Sequence, residues 1–325
     1  MQFYRPLLLF AIVLALGVVS LGAYVRLSNA GLGCPDWPGC YGHLVGVPQT
    51  AAEQAAALVS HPDKPVETAK AWKEMVHRYF AGTLGLLILA LTALAWRYRI
   101  ARVTTTLLAG TVVFQALLGM WTVTLLLKPV IVTSHLLGGM TTLALLVWLA
   151  TYRAPGSAQG SRRMERPAAL RLLAFAALLI VIAQISLGGW VSSNYAALVC
   201  SELPTCQGAW LPSMDFTQGF TLRRELGQSA DGQWLSFSAM TAIHWAHRIG
   251  ALAVLVTVGG LAMRLTRSPV WRRWGLMLAG MLALQVGLGV ANVLLQLPLP
   301  IAVAHNLGAA LLLVAIVVIN ARLCR

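Results

Sequence analysis

Apolar residues run in eight long blocks along the chain, at roughly 6–25, 76–96, 104–126, 130–151, 171–192, 240–263, 274–295 and 301–320. Each block has about 20 residues, and a helix rising ~1.5 Å per residue then crosses ~30 Å of hydrocarbon. Some cores are β-branched, such as VLVTVGG from Val254 and LLLVAIVVIN from Leu311. Helix is still the expectation, because an isolated strand leaves its backbone polar groups unpaired in lipid. The pattern predicts an all-α integral membrane protein with eight transmembrane helices. The first block, preceded by Arg5, has the outline of a signal peptide. The fifth block resembles it closely, and an internal segment cannot be a cleaved signal.

Composition agrees. Of 325 residues, 58% are apolar and only 10% charged, with mean hydropathy +0.74. A soluble domain carries about 25% charged residues. The apolar content also excludes a disordered chain and a secreted disulfide scaffold. The net charge of +14 does not point to nucleic acid, because no polar domain or basic helical stripe exists to hold it. It points to the bilayer. With both termini in the cytoplasm, Arg5, Arg97, Arg99, Arg102, Arg153, Arg162, Arg163, Arg166, Arg171, Arg264, Arg267, Arg272, Arg273, Arg322 and Arg325 lie inside, opposed only by Glu165. The outer side holds nine cations and nine acids, so one face carries the whole net charge. This positive-inside bias predicts a multi-pass protein of the cell inner or plasma membrane with cytoplasmic termini.

Two outer loops are long, about 26–75 and 193–239. The Arg-rich segment 153–170, with Gly, Ser and Pro, reads as a cytoplasmic linker. Its arginines either meet anionic headgroups or simply set topology. On its two sides the chain repeats. Ser20-Leu21-Gly22-Ala23-Tyr24-Val25 matches Ser186-Leu187-Gly188-Gly189-Trp190-Val191 at an offset of 166, as do Cys34, Pro38 and Cys40 with Cys200, Pro204 and Cys206. The offset then becomes 170: His77-Arg78 matches His247-Arg248, Gln115 matches Gln285, Gly119 matches Gly289, and His135 matches His305. Four spans per copy give both copies one orientation in the membrane. The expected organisation is residues 1–152 and 171–325 as two parallel-repeat four-helix bundles joined by 153–170.

His77, His135, His247 and His305 open the even-numbered spans, all at the outer end, and His244 lies one turn before His247. His43 and His61 read as ordinary loop residues. A single histidine at a helix end is commonly interfacial. Four at corresponding positions suggest one pair per bundle, facing a shared metal. Two imidazoles across a bundle suit haem iron, whereas zinc wants three or four converging ligands. A proton relay would not explain the pairing. Gly82, Gly85, Gly138, Gly139, Gly250 and Gly308 are expected to give a flat macrocycle room. Arg78 and Arg248 are candidates for propionate contacts, or else snorkel to the interface. Glu74 lies three residues before His77, on the same helix face, and its counterpart at offset 170 is His244. It is either a solvated loop residue or a base beside a reacting group. Cys34 with Cys40, and Cys200 with Cys206, have equal spacing on the outer side and read first as one disulfide per loop, with thiol–disulfide exchange as the alternative. Cys324 is left unpaired.

GLGCPDWPGCYG from Gly31, Glu74-Met75-Val76-His77-Arg78, and the histidines 135, 247 and 305 at the starts of spans four, six and eight resemble the haem A synthase family over essentially the whole chain. The resemblance implies oxidation of a methyl substituent of haem O to the formyl group of haem A through hydroxylated intermediates, for cytochrome oxidase assembly. It implies that His77 and His135 hold substrate haem in the N-terminal half. His247 and His305 would ligate a haem b cofactor in the C-terminal half, and Glu74 would act catalytically. Haem O synthase and an electron acceptor are the partners it suggests. Two other classes are a bis-histidine membrane cytochrome b without ring chemistry and a transporter with parallel repeats. Glu74 argues against the first, and the absence of acids from span centres argues against the second.

Overall fold

A computed structural model of the chain describes residues 4–151 and 168–324. Its helices are α1 (Tyr4–Leu27), α2 (Ala51–Ser60), α3 (Thr68–Arg97), α4 (Arg102–Thr124), α5 (Pro129–Thr151), α6 (Ala168–Ser193), α7 (Phe216–Gly219), α8 (Phe237–Thr266), α9 (Arg272–Leu294) and α10 (Leu299–Leu323). Among the described residues there is no strand. All but α2 and α7 are long and apolar enough to cross a membrane, which makes eight. The expected linker at 153–170 falls outside the described residues up to 167, and residues 168–170 already belong to α6.

The spanning helices start one to eight residues before their apolar runs. α3 begins at Thr68 rather than near 76, and α8 at Phe237 rather than near 240. The polar first turns of α3, with Lys70, Lys73 and Glu74, lie above the apolar run and under the first long loop. α8 is started by Ser236, whose hydroxyl accepts from Ala239 N–H at 3.2 Å. The short helix α2 lies inside the first long loop and is begun by a reciprocal Thr50–Glu53 capping box. Tight turns link α4 to α5 and α9 to α10, with left-handed Leu126 and Leu127 in one and Gln296 and Leu297 in the other. These pairs stand 170 residues apart, so the repeat extends to the backbone of the turns.

Helices α1, α5, α6 and α10 form the middle of the molecule: α1 packs on α5 and α10, and α6 on the same two. α3 and α4 complete one side, α8 and α9 the other. Leu143, Leu146, Leu313 and Ile316 are fully buried in that middle, while Leu86, Val103, Leu252 and Val256 point outward. Exposed leucine and valine is what lipid contact calls for. Helix association there rests on close packing and scattered polar links. Asn320 Nδ2 donates to Ala174 O at 2.9 Å and ties α10 to α6. At the long-loop end, Arg26 donates to Ser192 O at 2.7 Å and lies 4.3 Å from the centre of the Tyr195 ring.

Candidate functional site

The two long loops cover the helix ends where the histidines sit. Each contains a short cysteine loop built to one plan. Cys34 and Cys40, and likewise Cys200 and Cys206, are joined as disulfides with Cα atoms 4.8 Å apart. Asp36 accepts from Tyr41 N–H at 2.6 Å and Gly42 N–H at 2.8 Å. Its counterpart Glu202 accepts from Gly208 N–H at 2.5 Å and the Thr205 hydroxyl at 3.0 Å. The Gly208 N–H, then Thr205, hold the Glu202 carboxyl below the usual carboxylate range. Gly33 seats the first loop on α3, where an added Cβ would stand 2.6 Å from the Lys70 carbonyl carbon.

Arg78 and Arg248 are the fasteners of these loops. Arg78 donates to the carbonyls of Asp36 at 3.0 Å, Pro38 at 3.3 Å and Gly39. Arg248 donates to Glu202 O at 2.7 Å, Thr205 O at 2.9 Å and Cys200 O at 3.1 Å. Both guanidinium groups thus bind loop carbonyls, contacts that the sequence reading of propionate contact or interfacial snorkelling did not include. A residue about 40 positions downstream of each cysteine pair gives no hint that the loop folds back over the helix to meet it.

Glu74 is buried, at 5% exposure, which removes the reading of a solvated loop residue. Its Oε1 pairs with Arg78 Nη2 at 2.5 Å and its Oε2 accepts from Cys34 N–H at 3.1 Å. In the other half the matching His244 is also buried, and its Nδ1 stands 3.0 Å from Ala196 O. Both residues therefore hold the chain that follows the preceding span, but only Glu74 brings a carboxylate.

His77 and His135 lie on α3 and α5, which both pack on α1, and His247 and His305 on α8 and α10, which both pack on α6. Of the glycines expected to leave a macrocycle room, Gly82 and Gly85 face open space and Gly139 lies near Gln115 and Val19. Gly138, Gly250 and Gly308 are occupied by glutamine side chains. The glycines that meet imidazoles lie on the preceding helices: a Cβ at Gly22 would stand 3.0 Å from His77, at Gly119 3.3 Å from His135, at Gly188 3.2 Å from His247 and at Gly289 3.1 Å from His305. Those helices face the histidines across the helix pair, so only the packed structure identifies them. Gln184 was likewise invisible to the repeat, since its counterpart at offset 166 is Val18.

The donor set suits an iron held by two imidazoles. Among the described residues no three His, Cys, Asp or Glu side chains converge on a point. The Nδ1 atoms of His77, His135 and His305 are buried with no partner. In a coordinated imidazole the second nitrogen is protonated and held by an outer partner, which these three atoms lack among the protein groups.

The disulfides lead to a first prediction. Peptide mapping without reduction should return Cys34 linked to Cys40 and Cys200 to Cys206. Each link closes a short loop that restrains the unfolded chain by about 2–3 kcal/mol. Cross-loop pairs, or alkylatable thiols in protein taken from an oxidising compartment, would contradict it.

The family described as cytochrome oxidase assembly protein matches residues 5–317 of this chain. A haem A synthase of Shewanella oneidensis is 45% identical over 315 residues, covering 97% of this chain and 94% of that protein. A haem A synthase of Methylobacterium radiotolerans is 29% identical over 352 residues, covering 99% and 90%. One of Caulobacter vibrioides is 26% identical over 339 residues, covering 95% and 93%.

Proposed function

The chain belongs to the cytochrome oxidase assembly protein family, among haem A synthases, and on that premise we propose how its residues divide the work. It is a membrane oxidoreductase acting on haem O, whose methyl substituent it converts to the formyl group of haem A. Converting a methyl to a formyl group consumes one water and releases four protons and four electrons. The protons need an acceptor near the methyl, and the electrons need a path away.

His77 and His135 hold the substrate haem in the N-terminal half, and His247 and His305 hold haem b in the C-terminal half. Paired histidines in both halves, with a carboxylate in only one, carry this assignment. Haem b, when bound, supplies one-electron redox chemistry that passes electrons on to an external acceptor. Glu74 accepts a proton released from the substrate. Arg78 and Cys34 N–H fix its carboxylate one helical turn from His77. The cysteine loops cap the haem-facing ends of the helices and limit the entry of bulk water.

The architecture that goes with this reading is two parallel-repeat four-helix bundles, residues 1–152 and 171–325, joined by 153–170. Repeated cysteine loops, repeated turns and repeated glycine–histidine contacts support it. Orientation follows charge: the Arg-rich helix ends face the cytoplasm and the disulfide loops face outward, in the inner or plasma membrane. Haem O synthase, as the source of substrate, is the expected partner.

Pigment analysis of the purified protein tests the function. Haem B together with haem O or haem A is the expected result. Haem B alone, under conditions where haem O is supplied, would favour the cytochrome b electron carrier.

A further inference from the structure

The repeat is finer than two halves. Four helix pairs, α1 with α3, α4 with α5, α6 with α8 and α9 with α10, each set a glycine of the first helix against a histidine of the second. Three of the pairs add two more residues. Gln115, Gln184 and Gln285 lie one turn before that glycine and donate Nε2 to the carbonyls of His135 at 2.7 Å, His247 at 3.0 Å and His305 at 3.0 Å. The amide also lies against the ring, 3.1 Å from Nδ1 of His247 and 3.5 Å from Nε2 of His305. Three residues after each histidine stands Gly138, Gly250 or Gly308, where a Cβ would collide with the glutamine Oε1. The first pair departs at both places. Val18 stands where the others have glutamine, and Phe80 where they have glycine.

A resident haem must keep both axial bonds. A haem that is itself the substrate must form and break both of them in every turnover, and release is easier when one bond is weak. Outer partners decide how firmly a ligating histidine is oriented. Each glutamine holds the backbone carbonyl of its histidine, and Gln184 and Gln285 also lie against the ring. Valine offers no hydrogen bond, and Phe80 takes the glycine that would admit an amide.

We propose that Gln115, Gln184 and Gln285 are positioning residues that hold the helix turns carrying His135, His247 and His305, and that His77 makes the looser axial bond to the substrate haem, the last to form when haem O enters and the first to break when haem A leaves. This rests on the assignment of the four histidines to haem iron. Two held ligands in the C-terminal half match a haem that stays. One held and one looser ligand in the N-terminal half match a haem that is bound and exchanged.

The test uses purified protein carrying haem B and haem O. Transfer of each pigment to apomyoglobin is followed separately, because the two haems are distinguishable after extraction. Haem O should leave faster than haem B from the unaltered protein. Gln184→Val installs the residue native to the first helix pair, so apolar packing in the membrane is kept. It should speed haem B loss about tenfold or more and make ferrous haem B reactive towards carbon monoxide. The double variant V18Q/F80G should slow haem O loss. Unchanged haem B loss and carbon monoxide reactivity in Gln184→Val overturn the proposal, and so does unchanged haem O loss in V18Q/F80G. Retention of six-coordinate haem B by His247→Ala would instead overturn the ligand assignment beneath it.

Discussion

Protein carrying His247→Ala or His305→Ala is expected to purify without the tightly bound, six-coordinate haem b spectrum, while still capturing haem O in the other half. Each ring is set against a glycine on the neighbouring helix, Gly188 for His247 and Gly289 for His305, and each histidine carbonyl is held by a glutamine amide. Truncation to alanine removes the imidazole that the glycine faces. His244 is the obvious substitute, one turn from His247, but it is buried with Nδ1 at 3.0 Å from Ala196 O and serves the loop instead. No third metal-ligating group converges among the described residues. Loss of one ligand therefore leaves a single imidazole, which cannot give the six-coordinate, low-spin signal. Absorption and electron paramagnetic resonance spectra of the purified variants decide the matter. A normal low-spin signal in both variants would show the ligands to be elsewhere.

The eight spans were legible because twenty apolar residues in a row have one stable solution in lipid, a helix. Their polar beginnings were not, since the first turns of α3 carry Lys70, Lys73 and Glu74 and read like loop. The four histidines were legible through the repeat, which converts a weak single-residue signal into a pattern. Their neighbours were hidden for a geometric reason. A histidine's nearest glycine in sequence lies on its own helix, but the ring packs against the helix before it. Gly22, Gly119, Gly188 and Gly289 thus meet the imidazoles, whereas Gly138, Gly250 and Gly308 admit glutamines. Arg78 and Arg248 were read from charge alone, as propionate contacts or as side chains snorkelling to the interface. A guanidinium has five donors, and carbonyls of a folded-back loop satisfy it as well as a carboxylate does. Loop closure over a helix is a tertiary fact with no local sequence signature.

Glu74→Gln is expected to lower haem A formation by about 10²- to 10⁴-fold, with haem content and membrane accumulation near normal. The structure shows what the substitution keeps. A glutamine oxygen still accepts from Cys34 N–H, and Arg78 still holds the carbonyls of Asp36, Pro38 and Gly39. The first cysteine loop therefore stays fastened to α3. What is removed is the carboxylate, the one buried acid beside the substrate pair, which the other half replaces with His244. Since the second half builds the same loop without an acid, neither loop closure nor a histidine pair requires one. The remaining use for Glu74 is chemical: each C–H bond broken on the way from methyl to formyl releases a proton into a region with few acceptors. Pigment extraction from cells that depend on the variant should show haem O or a hydroxylated intermediate accumulating in place of haem A. Wild-type haem A levels would remove Glu74 from the chemistry. Loss of all bound haem would make it a structural clasp for the Cys34–Cys40 loop, and the asymmetry between the halves would then reflect loop anchoring rather than catalysis.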